Sequence, residues 1–307
     1  MAFRLPGAVI LGCRCHREAE RLIRRRLLPS PLWLSGPSGP PQETPLSWTN
    51  PLRTMRRNRA TSRPFPAPWG EILARNFPLD LRLPDSDRSE LRRRMQIFLA
   101  EKRFEGVGGL TMTDEIRVTV AVQACLLLLH RDEEGYPALR TILVYPTAYR
   151  ARTQEHGAHG MVTEIDQVRL GEAWNAETVV LSWEDVRSGT AAGGDGHNVV
   201  LHEFAHQLDM EDHSANGAPE LAHHGMYAAW ARVLGHEYQQ LQDAVDRHQR
   251  TLMDAYGTHS PAEFFAVATE TFFEQPVKLR DEHAELYEQL RQFYQQDPAA
   301  WSAAVQE

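Results

Sequence analysis

Apolar residues recur at every third or fourth position in several stretches of the chain, which predicts amphipathic helices. The first helix is expected over residues 88–104, and the second over about 113–130. Short runs rich in β-branched and apolar residues predict strands instead. These runs are 139–145, 168–170 and 178–183, and a turn is expected at 132–135.

Helical periodicity returns in the second half of the chain, after a glycine-rich stretch at 189–196 that predicts a loop. Asp195 or Asn198 could cap the next helix, which is expected to end near Asp209. Further helices are predicted over 225–249, 260–273 and 281–295. Helices, then strands, then helices again indicate an α+β fold.

Charge is distributed unevenly along the 307 residues. The net charge is −8, yet residues 1–60 contain eleven arginines against three acidic residues, which leaves the remainder at −16. Residues 29–51 are rich in Pro, Ser and Gly, a composition that does not support a packed core. We therefore expect a basic, disordered tail over 1–64, or a true start at Met55, followed by a folded domain over 65–307.

Composition also limits the partners and the compartment. An acidic domain argues against nucleic acid as a partner, because phosphate binding needs a basic face. No apolar run reaches the roughly 18–20 residues of a membrane helix, and the apolar stretch at 8–13 is too short for a secretory signal. Three cysteines form no disulfide framework, so we expect a reducing, cytoplasmic location.

The sequence HEFAH at positions 202–206 has the spacing of a zinc-binding motif. On a helix, His202 and His206 lie one turn apart on one face, so both imidazoles can bind a single tetrahedral metal ion. Glu203 lies at the edge of that face, where it can take a proton from the attacking water. The alternative is a pair of surface histidines, but the apolar run at 199–201 argues against an exposed helix. Asp209 could orient a ligand imidazole.

The third ligand is left open by the spacing. Glu263, Glu270 and Glu274 fall on one stripe of the predicted helix, so each could face the metal. Glu263 has a second interpretation, because the residues at 260–263 read Ser-Pro-Ala-Glu, which is a capping box. Capping and ligation therefore compete for one carboxylate, and Glu270 with Glu274 could instead supply a ligand and its support.

Several motifs together resemble the Mlc titration factor A family of zinc peptidases. They are HEFAHQLD at 202–209, DAYG at 254–257, PAEFFAV at 261–267, TETFF at 269–273 and FYQQDP at 293–298. Upstream, LVYP at 143–146 and VLSW at 180–183 also match. The resemblance covers roughly residues 65–300, and the first 60 residues have no counterpart in it.

This resemblance implies a zincin-type core, a small sheet plus an active-site helix, similar to the catalytic domain of anthrax lethal factor. A helical part over 65–135 would precede a catalytic part over 136–300. One zinc ion per chain would be bound by His202, His206 and Glu263. Glu203 would be the general base and Tyr256 a hydrogen-bond donor to the transition state, while Glu270 would become a supporting acid.

The resemblance also implies the partners. The expected activity is hydrolysis of peptide bonds in a peptide or protein, as in an aminopeptidase acting on short peptides. Residues 178–183 are expected to be an edge strand that holds the substrate backbone. The alternative function is that of a regulatory protein that binds a transcriptional repressor of the Mlc type and so controls sugar uptake.

Overall fold

The computed structural model describes residues 51–131, 135–147, 149–156, 162–169, 171–192 and 194–303. Residues 1–50 of the predicted basic tail, and most of the turn predicted at 132–135, lie outside this range. Within it, helices precede and follow a group of strands, which confirms the α+β class. No described helix combines the length and the hydropathy that a transmembrane span requires.

Eleven helices are present among the described residues. They are α1 Pro51–Thr61, α2 Ala67–Asn76, α3 Asp85–Glu101, α4 Asp114–Leu126, α5 Trp183–Ala192, α6 Val199–Asp209, α7 Met226–Asp246, α8 Pro261–Glu274, α9 Pro276–Glu282, α10 Ala284–Tyr294 and α11 Pro298–Ala303. Single turns of 3₁₀-helix lie at Pro78–Leu81, Met210–Asp212 and Ala255–Thr258.

The strands form one four-stranded sheet and a separate antiparallel hairpin. They are β1 Arg103–Gly106, β2 Thr141–Tyr145, β3 Tyr149–His156, β4 Val162–Arg169, β5 Gly171–Asn175 and β6 Thr178–Ser182. In the sheet the order is β1-β2-β6-β5, with β1, β2 and β6 parallel and β5 antiparallel to β6. Strands β3 and β4 pair with each other, so they form a hairpin apart from the main sheet.

The prediction that residues 178–183 form an edge strand is wrong. Strand β6 is interior, because β2 pairs with one of its edges and β5 with the other. Strand β5 lies at the edge of the sheet instead, and α6 packs against both β5 and β6. The order of strands depends on contacts between distant segments, which the local pattern does not contain.

Three other boundaries differ from the sequence prediction. Helix α3 ends at Glu101, and Phe104 belongs to β1, whose four residues are too few to show strand alternation. Helix α5 extends through Gly189 into the predicted glycine-rich loop, where the backbone of His197 comes close to this glycine. The predicted helix 281–295 is broken at His283, which separates α9 from α10.

Helix α1 lies within the segment expected to be a disordered tail. It begins with Pro51 at a helix start, where the missing N–H costs nothing. Two of its arginines reach α3, since Glu101 accepts from Arg57 Nε at 2.6 Å and from Arg53 Nε at 3.2 Å. Helix α1 is thus attached to the folded domain, and the domain boundary at residues 64 and 65 stays a prediction.

The core lies around α6 and α8. Phe204 of α6 is fully buried against Tyr136, with ring centroids 4.9 Å apart. On α8, Phe265 packs against Trp230 and Phe293 at centroid distances of 5.8 and 5.7 Å. Because both helices are fixed by aromatic packing, the polar side chains on their facing surfaces are held in a defined register.

Candidate metal centre

Helix α6 positions the two motif histidines. As predicted, Asn198 caps the helix, and its Oδ1 accepts a hydrogen bond from the N–H of Leu201 at 3.1 Å. The apolar face of α6, including Phe204, is buried in the core. His202 and His206 therefore point to the opposite side, where both are partly exposed and their rings lie 4.9 Å apart.

Helix α8 brings Glu263 to the same place. Ser260 is its N-cap, and Ser260 Oγ accepts from the N–H of Glu263 at 3.1 Å. The carboxylate of Glu263 turns towards the histidines, with Oε2 3.0 Å from His202 Nε2 and 3.3 Å from His206 Nε2. Capping thus uses the backbone of Glu263, and the side chain is available for another role.

The three donor atoms have the spacing of a metal site. The two imidazole Nε2 atoms are 3.2 Å apart, so all three separations lie between 3.0 and 3.3 Å. With metal–ligand distances of about 2.0–2.1 Å, tetrahedral geometry separates ligand atoms by about 3.3 Å. Among the described residues, this is the group of His, Cys, Asp and Glu side chains that could hold a metal ion.

Comparison with known proteins identifies the family to which a chain with this arrangement belongs. The profile of Peptidase_M90, described as glucose-regulated metallo-peptidase M90, matches residues 52–295. The chain belongs to the M90 metallopeptidase family. A metal ion is therefore part of the chemistry of its family, and the match starts within α1 rather than at residue 65.

Curated relatives support the same assignment. An uncharacterised protein of Synechocystis sp. is 41 % identical over 244 residues, which cover 79 % of this chain and 89 % of the relative. Mlc titration factor A of Yersinia pestis (strain Pestoides F) is 32 % identical over 238 residues, covering 76 % and 86 %. The same protein of Yersinia pseudotuberculosis serotype O:3 matches to the same extent. The resemblance seen in the sequence is thus confirmed at the level of the family.

In this M90 family member, the charges of the motif histidines and of the neighbouring carboxylates affect one another. Burial opposes a charged His202, but hydrogen bonds to Glu263 and Glu270 outweigh it and raise the pKa of His202 to about 10. Burial would raise the pKa of Glu263, yet hydrogen bonds with His202 and His206 hold it well below its usual range. The metal-free site is therefore an ion-pair cluster, and a bound cation would take the place of its proton.

Glu203 lies beside the donor atoms in a different environment. It is only 4 % exposed, and its Oε2 has no hydrogen-bond partner among the described residues. Burial raises the pKa of Glu203 to about 8, against the opposing effect of His202. A buried carboxylate with an oxygen that no described residue contacts is suited to accept and return a proton.

Tyr256 lies at the open side of the site, on the 3₁₀ turn that precedes α8. Asp254 Oδ1 accepts from the N–H of Tyr256 at 2.6 Å, which fixes the start of the turn. Tyr256 is 49 % exposed, and its ring lies 5.9 Å from the ring of His202 and 4.7 Å from that of His259. The structure thus places the predicted donor next to the motif, where it faces solvent.

Glu270, the alternative third ligand, contacts the other side of the His202 ring. Its Oε1 is 2.7 Å from His202 Nδ1, whereas Glu263 lies at Nε2. One imidazole cannot direct both nitrogens at the same metal ion, so the geometry does not favour Glu270 as a ligand in this centre. Glu274, the third acid of the stripe, contacts the loop before α6 instead.

The suggested role of Asp209 is not supported. Its Oδ2 accepts from the N–H of Gly217 at 2.8 Å, and its Oδ1 has no hydrogen-bond partner among the described residues. Asp209 is fully buried and anchors the segment that follows α6. This role depends on a contact with Gly217, which the spacing between His206 and Asp209 on a helix could not predict. Burial raises the pKa of Asp209 to about 6, although the bond from Gly217 opposes this rise.

Proposed function

We propose that the chain is a zinc-dependent peptidase whose metal is bound by His202, His206 and Glu263. The observation that carries the proposal is the set of three donor separations between 3.0 and 3.3 Å, supplied by two buried helices. Two imidazoles and one carboxylate leave a fourth position for water or substrate, which is typical of catalytic rather than structural zinc. A cytoplasmic location, expected from the cysteine usage, is part of this proposal.

The chemistry divides between the metal and the side chains around it. When bound, zinc would polarise the scissile carbonyl and lower the pKa of water to about 7. Glu203 takes the proton of the attacking water and delivers it to the leaving amine. The hydroxyl of Tyr256 donates to the oxyanion that develops on the carbonyl, a role worth about 3 kcal/mol in comparable sites.

We propose that the substrate backbone pairs with β5. This strand pairs with β6 on one side, and no described strand pairs with its other side. Helix α6, which carries the motif histidines, packs against β5, and this supports a peptide adding to the edge of β5 that no described strand covers. Substrates with at least a few extended residues are expected to be preferred, and aminopeptidase action on short peptides is the form of activity that we propose.

A second function is suggested by the name of the relatives. Proteins called Mlc titration factor A share 32 % identity with this chain over 76 % of its length. Binding of a transcriptional repressor of the Mlc type could therefore accompany hydrolysis or replace it. Repressor binding would use a surface, whereas hydrolysis requires the buried carboxylate of Glu203.

One substitution separates these functions. Glu203→Gln keeps the size of the side chain but removes the base, so we expect hydrolysis of a panel of peptide p-nitroanilides to fall at least about 10³-fold. Zinc content, measured by atomic absorption, should stay at one ion per chain, and binding to an Mlc-type repressor should not change. Absence of hydrolysis in zinc-loaded wild-type protein would refute the enzyme proposal.

A further inference from the structure

We propose that Glu270 is a positioning residue that fixes the ring of His202 and joins the metal centre to the start of α6. Each of its oxygens has a different partner. Oε1 lies 2.7 Å from His202 Nδ1, and Oε2 accepts from the N–H of Asn198 at 2.5 Å. This inference rests on the proposed zinc site, since it assigns a task to a residue that contacts a proposed ligand.

The contact with Nδ1 determines which nitrogen of His202 can bind a metal. An ionised Glu270 can only accept a hydrogen bond, so this contact favours a proton on Nδ1. In the neutral ring the lone pair is then on Nε2, the atom that faces Glu263 and His206. A carboxylate at the outer nitrogen of a ligand imidazole also raises its basicity and restricts its rotation.

The contact with Asn198 extends this control to the backbone. Asn198 caps α6 through its Oδ1, while its N–H is bound by Glu270 and its Nδ2 donates to Glu274 Oε1 at 2.9 Å. Glu274 Oε2 also accepts from the N–H of Gly194 at 2.7 Å. Helix α8 therefore holds both the ligand ring and the segment from which the ligand helix begins.

Because Glu270 is buried, water cannot easily replace the two hydrogen bonds that it accepts. Its side chain is 8 % exposed, so little water is available to replace its two donors. Removing the carboxylate would leave the N–H of Asn198 and the Nδ1 proton of His202 without an acceptor in a buried place. The ring could then rotate or change tautomer, and both changes would reduce the share of molecules that are ready to bind zinc.

Zinc affinity tests this inference without any assay of hydrolysis. Competition with a chromogenic chelator would compare wild-type protein with the Glu270→Ala, Glu270→Gln and Glu274→Gln variants. We expect Glu270→Ala to weaken zinc binding about 10–100-fold. Glu270→Gln should also weaken zinc binding, but by less than Glu270→Ala, because its one amide oxygen can accept from only one of the two donors, His202 Nδ1 or the N–H of Asn198.

Glu274→Gln is the matched control. It lies one turn further along α8 and contacts the same loop, but it has no contact with the ring of His202. A loss of affinity in Glu274→Gln as large as that in Glu270→Gln would overturn the inference, since a loosened loop would then explain both. Unchanged affinity in Glu270→Ala would overturn it as well.

Nitrogen NMR of the histidine rings gives a readout that a purely structural role would not change, and it serves if Glu270→Ala folds poorly. The Nδ1 proton of His202 should be slow to exchange in the wild-type protein, with or without zinc. A wild-type spectrum in which His202 is protonated on Nε2 and not on Nδ1 would overturn the proposed contact. Failure of wild-type protein to bind zinc, with the Nδ1 proton in place, would refute the zinc site but leave the contact itself confirmed.

Discussion

Ser260 and Glu263 allow helix capping to be separated from metal binding. The hydroxyl of Ser260 accepts from the N–H of Glu263, whereas the Glu263 carboxylate faces the histidines. Ser260→Ala therefore removes a cap and leaves the donor set intact. Glu263→Ala keeps the cap, because the backbone N–H remains, but removes one of three donors.

The first substitution should lower thermal stability but not zinc affinity, and the second should lower zinc affinity. Loss of an N-cap costs about 1 kcal/mol, which lowers Tm by about 2–4 °C in a domain of this size. The Ser260→Ala variant should still bind one zinc ion with wild-type affinity. Glu263→Ala should weaken zinc binding by at least about 100-fold, more than is usual for loss of a supporting residue. Differential scanning calorimetry of the metal-free proteins and chelator competition measure these two effects.

Two results would refute this reasoning. If Ser260→Ala lost zinc as readily as Glu263→Ala, the cap and the donor could not be treated as independent. If Glu263→Ala kept one zinc at saturating metal while Glu270→Ala lost it, the wrong carboxylate would have been assigned. We expect Glu270→Ala to bind one ion at saturation, with reduced affinity.

Three further predictions concern pH, catalysis and packing. The bond to Glu237 at 2.7 Å raises the pKa of His283, so its stabilising effect should be complete below about pH 6.5, its unfolded value, and disappear as the pH rises through the folded value. In urea titrations, His283→Asn should therefore cost about 1–2 kcal/mol at pH 5.5 and much less at pH 9; an equal cost at both would contradict the assignment. Tyr256→Phe should lower kcat about 100-fold with unchanged zinc content, and a kcat near wild type would exclude the donor role. Phe265→Ala removes a buried ring that packs on Trp230, so the free energy of unfolding should fall by about 3–5 kcal/mol, whereas a loss under 1 kcal/mol would show that the core collapses around the gap.

Local sequence signals predicted the helices that carry the motif and Glu263. Asn198 and the Ser-Pro-Ala-Glu segment at 260–263 are capping signals that act within four residues, and both helices start where these signals predict. The donor set could also be proposed from spacing, because two histidines one turn apart share a face. These features depend on short-range geometry, which the sequence contains directly.

Features that depend on contacts between distant segments could not be predicted. Strand β1 is too short for a pattern, and the interior position of β6 follows from its pairing with β5. The choice between Glu263 and Glu270 likewise requires the register of α8 against α6. Spacing showed that both acids share a stripe, but not which end of the stripe meets the histidines.

The stripe itself explains why one helix can organise the site. Glu270 and Glu274 each lie within about 20° of Glu263 on the wheel of α8. In chain order, the three acids contact the donor atoms, the outer nitrogen of His202 and the loop before α6. Phe265 and Phe272 fall on the opposite side and are fully buried. A slip of one residue would turn the helix by about 100°, which would remove all three acids from their partners and both rings from the core at once. The aromatic packing of α8 therefore sets the position of the proposed zinc ligand, and large-to-small changes in that core should weaken metal binding as well as stability.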